Sequence, residues 1–124
     1  MKRMFYQVYV RDADAAVDLY RRAFNAELLN RMAGADGLIV HAEMAVFGQI
    51  LALSESSEAL GMSDSGNTMQ FCIQFDPDET AIVKAAYQVL EEGATIYHPL
   101  GKCFYSECMA DLTDRFGVRW CLFV

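Results

Sequence analysis

Positive charge is scarce in this chain: ten Lys and Arg stand against 17 Asp and Glu over 124 residues, a formal net charge of −7 at pH 7. Nucleic acid and anionic membranes both require a concentrated basic face, so neither is expected as a partner, and the few cations are scattered. Long apolar runs are missing too. After the basic Met1-Lys2-Arg3, the stretch from Phe5 to Val10 breaks at Arg11-Asp12, too short for a signal-peptide core or a membrane span. The expectation is a cytoplasmic protein. The four cysteines, at 72, 103, 108 and 121, form no C-x-x-C pair and have no histidine at zinc spacing. In a reducing compartment they are read as free, partly buried thiols.

What the chain has in abundance is apolar surface, 54% of residues, enough for a single domain over 1–124 without a disulfide or metal staple. It also repeats itself. Phe47-Gly48-Gln49-Ile50-Leu51-Ala52-Leu53 returns as Phe116-Gly117-Val118-Arg119-Trp120-Cys121-Leu122, an offset of 69. Phe5 to Val10 answers to Gln70 to Phe75 at an offset of 65, and Asn25-Ala26 to Gly93-Ala94 at 68. The three registers run in one order, as an internal duplication would leave them. The widening from 65 to 68 predicts a second helix longer by about one turn.

Each half reads as strand, helix and three strands. Residues ~5–10 alternate as a half-buried strand does, and Asp12-Ala13-Asp14 caps a helix carrying Ala16, Val17, Leu19, Tyr20, Ala23 and Phe24 at helical spacing. Leu28 to Met32 and Leu38 to Phe47 read as strands around a Gly34-Ala35-Asp36-Gly37 turn, followed by Ile50 to Ser54. The halves are module 1 at ~1–55 and module 2 at ~67–124, with a Ser, Glu, Asp and Gly-rich linker at ~55–67. In the second half Met69 to Phe75 is a strand, Asp76-Pro77-Asp78-Glu79 opens a helix that Gly93 stops, and Ala94 to Tyr97, Phe104 to Leu112 and Val118 to Val124 are strands. Asp114-Arg115-Phe116-Gly117 is read as the turn matching Phe47-Gly48.

With these residues in view, the chain resembles the vicinal oxygen chelate superfamily of glyoxalase I, bleomycin-resistance proteins and extradiol dioxygenases, and within it the PhnB-like branch. The stretch from Ala15 to Glu27 is similar to that branch's A-x-x-F-Y-x-x-A-F-G-A-E helix and exit. His41-Ala42-Glu43 with Gly48 and Leu53-Ser54, and Phe104-Tyr105 with Asp114 to Trp120, resemble two further motifs. The resemblance implies an α+β fold: two tandem βαβββ modules whose mixed sheet curls into a U-shaped cleft, with helices outside and a ligand inside. Strand alternation then assigns faces. Phe5, Gln7, Tyr9, His41, Glu43, Ile50, Ala52 and Ser54 would face the cleft from module 1, and Gln70, Cys72, Gln74, Phe104, Ser106, Cys108, Arg119, Cys121 and Phe123 from module 2. Tyr6, Val8, Val10, Val40, Ala42, Met44, Val46 and Trp120 would pack under helices.

The resemblance also locates four ligand positions used by metal-dependent relatives, which fall on Phe5, Ala52, Gln70 and Cys121. Phe and Ala cannot ligate, and Gln with Cys is a poor pair for a divalent ion, so neither metal nor cofactor is expected. His41 and Glu43, two apart on a strand, share a face and suit a polar pair, an acid–base couple or a metal pair with Glu107 or Cys108. Arg119 suits either a bidentate grip on an anion or a salt bridge to an acid such as Glu43. Catalytic use of Cys72 or Cys121 would need a neighbour that lowers the thiol pKa. His98 is read as a loop residue.

The expected function is binding of a small organic molecule by Phe5, Gln7, Tyr9, His41, Glu43, Gln70, Phe104, Arg119 and Cys121. The alternative is a divalent-metal lyase, isomerase or dioxygenase of the same superfamily. The residues alone leave open whether a reaction is catalysed. The resemblance implies a homodimer, since relatives of this size usually pair two chains, and a sheet of eight short strands in two halves leaves edges that self-association can cover.

Overall fold

A computed structural model describes residues 1–57, 66 and 68–124. The predicted linker falls for the most part outside the described residues. The chain divides into two compact units, Met1–Asp64 and Ser65–Val124. The first holds β1 (Tyr6–Val10), α1 (Ala13–Phe24), β2 (Glu27–Ala33), β3 (Ile39–Val46) and β4 (Gln49–Glu55). The second holds β5 (Phe71–Gln74), α2 (Thr80–Leu90), β6 (Thr95–Cys103), β7 (Ser106–Thr113) and β8 (Arg119–Phe123). Each is therefore a βαβββ module with a four-stranded mixed sheet, ordered β1-β4-β3-β2 and β5-β8-β7-β6. In both, the first and last strands pair in parallel and the remaining pairs are antiparallel. This is the predicted α+β duplication.

Helix α1 forms where its apolar stripe requires it. Asp12, itself left-handed at φ 60°, accepts from the Ala15 amide (3.2 Å), while the Glu55 carboxylate at the end of β4 accepts from the Asp12 and Ala13 amides at 2.7 and 2.9 Å. A strand end thus caps the helix packed on its own sheet. The buried stripe Ala16, Val17, Leu19, Tyr20 and Phe24 lies over Val10, Ala42, Met44, Leu51 and Leu53. Full burial of each large side chain contributes about 1.5–3 kcal/mol. In module 2, Val83, Ala86 and Leu90 of α2 answer to Ala110, Leu112, Trp120 and Leu122, with the Phe71 ring 5.1 Å from Trp120. No helix among the described residues is long and apolar enough to cross a membrane.

Several local expectations change. Helix α2 has 11 residues against 12 in α1, so the three inserted residues do not lengthen it. The offset is 67 at the helix start (Ala13 to Thr80), 66 at its end (Phe24 to Leu90) and 68 at the next strand (Glu27 to Thr95). The extra residues are therefore shared between the turn at 91–93 after α2 and the segment before it, where Asp76-Pro77-Asp78-Glu79 closes a β-turn (Glu79 amide to Asp76 carbonyl, 2.9 Å) because Pro suits the second turn position. Phe104 and Tyr105 form the tip of the β6–β7 hairpin instead of opening a strand, and His98 lies within edge strand β6 instead of a loop. The proline after it is tolerated there because the edge needs no amide and the register is irregular.

Face assignment shifts in two places. A bulge between β2 and β3 buries Ile39 and leaves Val40 55% exposed, reversing the predicted order. In β7, Ala110 and Leu112 pair with Leu122 and Trp120 on the helix side, so alternation takes Ser106 and Cys108 there as well and sends Asp111 to the opposite face beside Cys121. The run Cys108-Met109-Ala110 is apolar throughout and carries no alternation to read.

Candidate functional site

On each sheet the face away from its helix carries the polar groups. In module 1 the centre is Glu43, whose side chain is only 8% exposed. Arg3 grips it with both ends of the guanidinium, Nη1 to Oε2 at 2.9 Å and Nη2 to Oε1 at 2.6 Å, and His41 Nε2 lies 3.0 Å from Oε1. The Arg3 bonds first, then His41, hold the Glu43 carboxyl down at about 2, well below its ordinary 4.5. The Phe5 ring completes the group, with the Arg3 guanidinium 4.6 Å above its centre and the His41 ring edge-on at 6.0 Å. Beside it, Gln7 Nε2 donates to Ser54 Oγ at 2.9 Å, and Ser54 donates on to the Val40 carbonyl at 2.7 Å. Tyr9 registers with Ser54 and stays half-exposed.

The centre of module 2 is Asp111. Arg119 Nε and Nη2 reach its two oxygens at 3.2 and 3.1 Å, and Gln70 Nε2 donates to Oδ1 at 2.9 Å. Tyr97 lies under the Arg119 guanidinium at 4.5 Å and shares a hydrogen bond with Thr113 (3.1 Å). The Cys72 thiol donates to Gln70 Oε1 at 3.5 Å. Cys121 is buried, with its sulfur 3.9 Å from the Tyr105 hydroxyl, and the Tyr105 ring packs on Phe123 at 5.5 Å. Burial pushes the Cys121 thiol up, against the Tyr105 hydrogen bond, and desolvation followed by Cys121 pushes the Tyr105 hydroxyl up to about 12. Neither group is prepared to ionise at neutral pH, so a Cys121 thiolate nucleophile is not what this arrangement supplies.

The structure thus gathers Phe5, His41 and Glu43 into one network, with Gln7 beside it, and Gln70 with Arg119 into another. It does not bring in Phe104, which is 99% exposed at the hairpin tip, or Glu107, which is exposed and pairs with Lys102 at 3.2 Å. Arg119 meets Asp111, whereas the acid suggested for it, Glu43, is taken by Arg3. Three partners escaped the sequence reading: Arg3, Asp111 and Tyr97. Asp111 was within reach, because the 68-residue offset linking Asn25 to Gly93 carries Glu43 to it. Arg3 precedes the first strand and carries no periodic signal.

The two βαβββ modules and their polar faces define a class of fold, and the family follows. The chain belongs to the Glyoxalase/Bleomycin resistance protein/Dioxygenase superfamily, whose model matches residues 4–122. The uncharacterized protein Mb0911c of Mycobacterium bovis is 26% identical over 119 residues, spanning 91% of this chain and 76% of that protein. Among solved structures, protein PA1353 of Pseudomonas aeruginosa superposes with a TM-score of 0.85 at 21% identity, over 99% of this chain and 97% of that one. A Bacillus cereus PhnB protein described as a putative 3-demethylubiquinone-9 3-methyltransferase gives 0.80 at 19% identity, over 98% of each chain. At such identities these structures establish the shared fold.

The donor set does not fit the divalent ion used by metal-dependent relatives. Phe5 packs on Arg3 and His41, Ala52 is fully buried between Gln7 and Glu43 in register, Gln70 is bonded to Asp111, and Cys121 has a raised thiol pKa. The neighbouring carboxylates, Glu43 and Asp111, are each already neutralised by an arginine. Among the described residues, the cluster of acids at metal-like spacing is Asp76, Asp78 and Glu79, which belongs to the turn before α2.

Proposed function

We propose that this protein binds a small organic molecule on the helix-free faces of its sheets, in the manner of a PhnB-like member of the superfamily, and that it does so without the metal. The observation that carries the reading is the pair of arginine-gripped carboxylates. They occupy the hard donors that a divalent ion would require, yet leave aromatic walls and hydrogen-bonding groups around them. In module 1 Phe5 and Tyr9 supply apolar surface, with Gln7, His41 and Glu43 as polar selectors. In module 2 Gln70, Arg119 and Cys121 play the corresponding part beside Tyr105 and Phe123. An anion would have to compete with Asp111 for Arg119, which favours a neutral or weakly polar planar molecule that stacks on the rings.

A thermal-shift screen against planar antibiotics, thiol conjugates and small phosphonates tests the reading. A ligand at about a hundred times its Kd adds about 2.7 kcal/mol to stability and raises Tm accordingly. Planar neutral compounds should give the largest shifts, and His41→Ala should weaken them without unfolding the chain. A divalent ion retained stoichiometrically through purification, with turnover that depends on it, would overturn the proposal in favour of a metal-dependent lyase, isomerase or dioxygenase. We also propose a cytoplasmic homodimer, since β2 and β6 each end a sheet with a single strand neighbour among the described residues, an edge that a second copy could cover; a light-scattering mass near 13.9 kDa would overturn the dimer.

A further inference from the structure

Cys72 on β5 and Cys121 on β8 are direct register partners in adjacent parallel strands, so their side chains leave the sheet on the same face. Neighbouring strands stand about 4.8 Å apart, within the range of roughly 4.4–6.8 Å between Cα atoms that a disulfide spans. The thiols sense each other, as Cys72 is among the groups that raise the Cys121 thiol. Their exposure differs in a useful way: Cys72 is open to solvent and Cys121 is buried. An oxidant therefore meets Cys72 first, with Cys121 waiting one strand away.

We propose that Cys72 and Cys121 form a reversible intramolecular disulfide under peroxide. The Cys72 thiolate attacks one peroxide oxygen and breaks the O–O bond, giving a sulfenic acid and releasing hydroxide. The Cys121 sulfur then attacks the Cys72 sulfur, losing its proton as the sulfenic oxygen leaves as water. Two electrons pass from the thiols to the peroxide, and a thiol reductant returns both cysteines. The bond withdraws Cys72 from Gln70 and Cys121 from Tyr105, so two groups on the polar face of module 2 lose their present partners. This inference stands on strand register and is independent of whether the face binds a ligand.

The test treats the folded chain with hydrogen peroxide, blocks remaining thiols with N-ethylmaleimide and maps the peptides by mass spectrometry. A Cys72–Cys121 linked peptide should dominate, disappear on reduction and leave Cys103 and Cys108 alkylated. In Cys72→Ser, oxidation of Cys121 should slow at least about tenfold, because the buried sulfur reaches oxidant through its neighbour. Cys72→Ser changes an exposed side chain, so this variant should keep its fold, and circular dichroism is the check. Over-oxidation of Cys72 to a sulfinic acid while Cys121 stays alkylatable would overturn the proposal, and so would linkage only between chains. Either result leaves the thermal-shift test of ligand binding untouched.

Discussion

The two modules place an acid at the same point and hold it with cations from different places. Glu43 lies opposite Ala52 on β4, and Asp111 lies opposite Cys121 on β8, equivalent positions in the repeat. In module 2 the gripping arginine is Arg119, on the neighbouring strand. In module 1 it is Arg3, ahead of β1, because Ile50 stands where Arg119 would be under the 69-residue offset. The fold thus provides a seat for a carboxylate near the middle of the third strand, and any cation that reaches it satisfies the seat. The remaining neighbours then differ: a histidine in module 1, and an amide with two thiols in module 2. Chemical individuality lies in those neighbours.

If the modules are equivalent in their cores, matched truncations should cost the same. Leu53 and Leu122 are repeat partners with no exposed surface, and Leu53→Ala and Leu122→Ala should each lower unfolding free energy by about 3 kcal/mol in urea titrations. A difference of more than about 1.5 kcal/mol between them would show that one core tolerates the cavity and break the equivalence.

Equivalence should fail at the last turn of each module. Between β3 and β4 two residues suffice, Phe47 at φ 48° and Gly48 at φ 80°, the left-handed pair of a tight hairpin. Between β7 and β8 the loop is longer and built on Asp114, 3% exposed, which accepts from the Phe116 and Val118 amides (2.8 and 3.1 Å) and from Trp120 Nε1 (2.9 Å). Asp114→Ala strands those donors and should cost about 2–3 kcal/mol, whereas Phe47→Asn, a residue that accepts the left-handed backbone, should leave stability within about 1 kcal/mol.

The acid of module 1 gives a pH test. Glu43 titrates near 4.5 when unfolded and at about 2 when gripped, so its stabilisation is complete above pH 4.5 and is lost as pH falls from there through about 2. Carboxyl NMR should place its midpoint near 2 in the folded chain, and Arg3→Met should move it up toward the ordinary range. An unmoved midpoint would assign the depression to His41 instead.

Much of this was legible in the sequence. The helix of module 1, the strand count and the duplication were carried by apolar spacing and by turn residues such as Phe47-Gly48. The errors fell where the signal is blank or doubled. Cys108-Met109-Ala110 has no polar member to show which side faces out, and the bulge at Val40 shifts parity by one residue without altering composition. Arg3 reached its acid across 40 residues of chain, a contact that no local pattern encodes. Asp111 is a different case, since the repeat itself pointed to it through Glu43.

The smallest expected effect separates two adjacent rings at the β6–β7 tip. Phe104 is almost wholly exposed and touches Tyr105 edge-on at 4.9 Å, while Tyr105 turns its hydroxyl to Cys121 and its ring to Phe123. Phe104→Ser removes little buried surface and should change stability by less than about 0.5 kcal/mol. Tyr105→Ala loses a ring contact and should cost about 1 kcal/mol. The same pair discriminates between ligand surfaces: a compound stacked on module 2 should lose affinity with Tyr105→Ala and keep it with Phe104→Ser. The reverse order would mean that the exposed ring folds over the bound molecule, and the binding face would then extend to the hairpin tip, as strand alternation alone predicted.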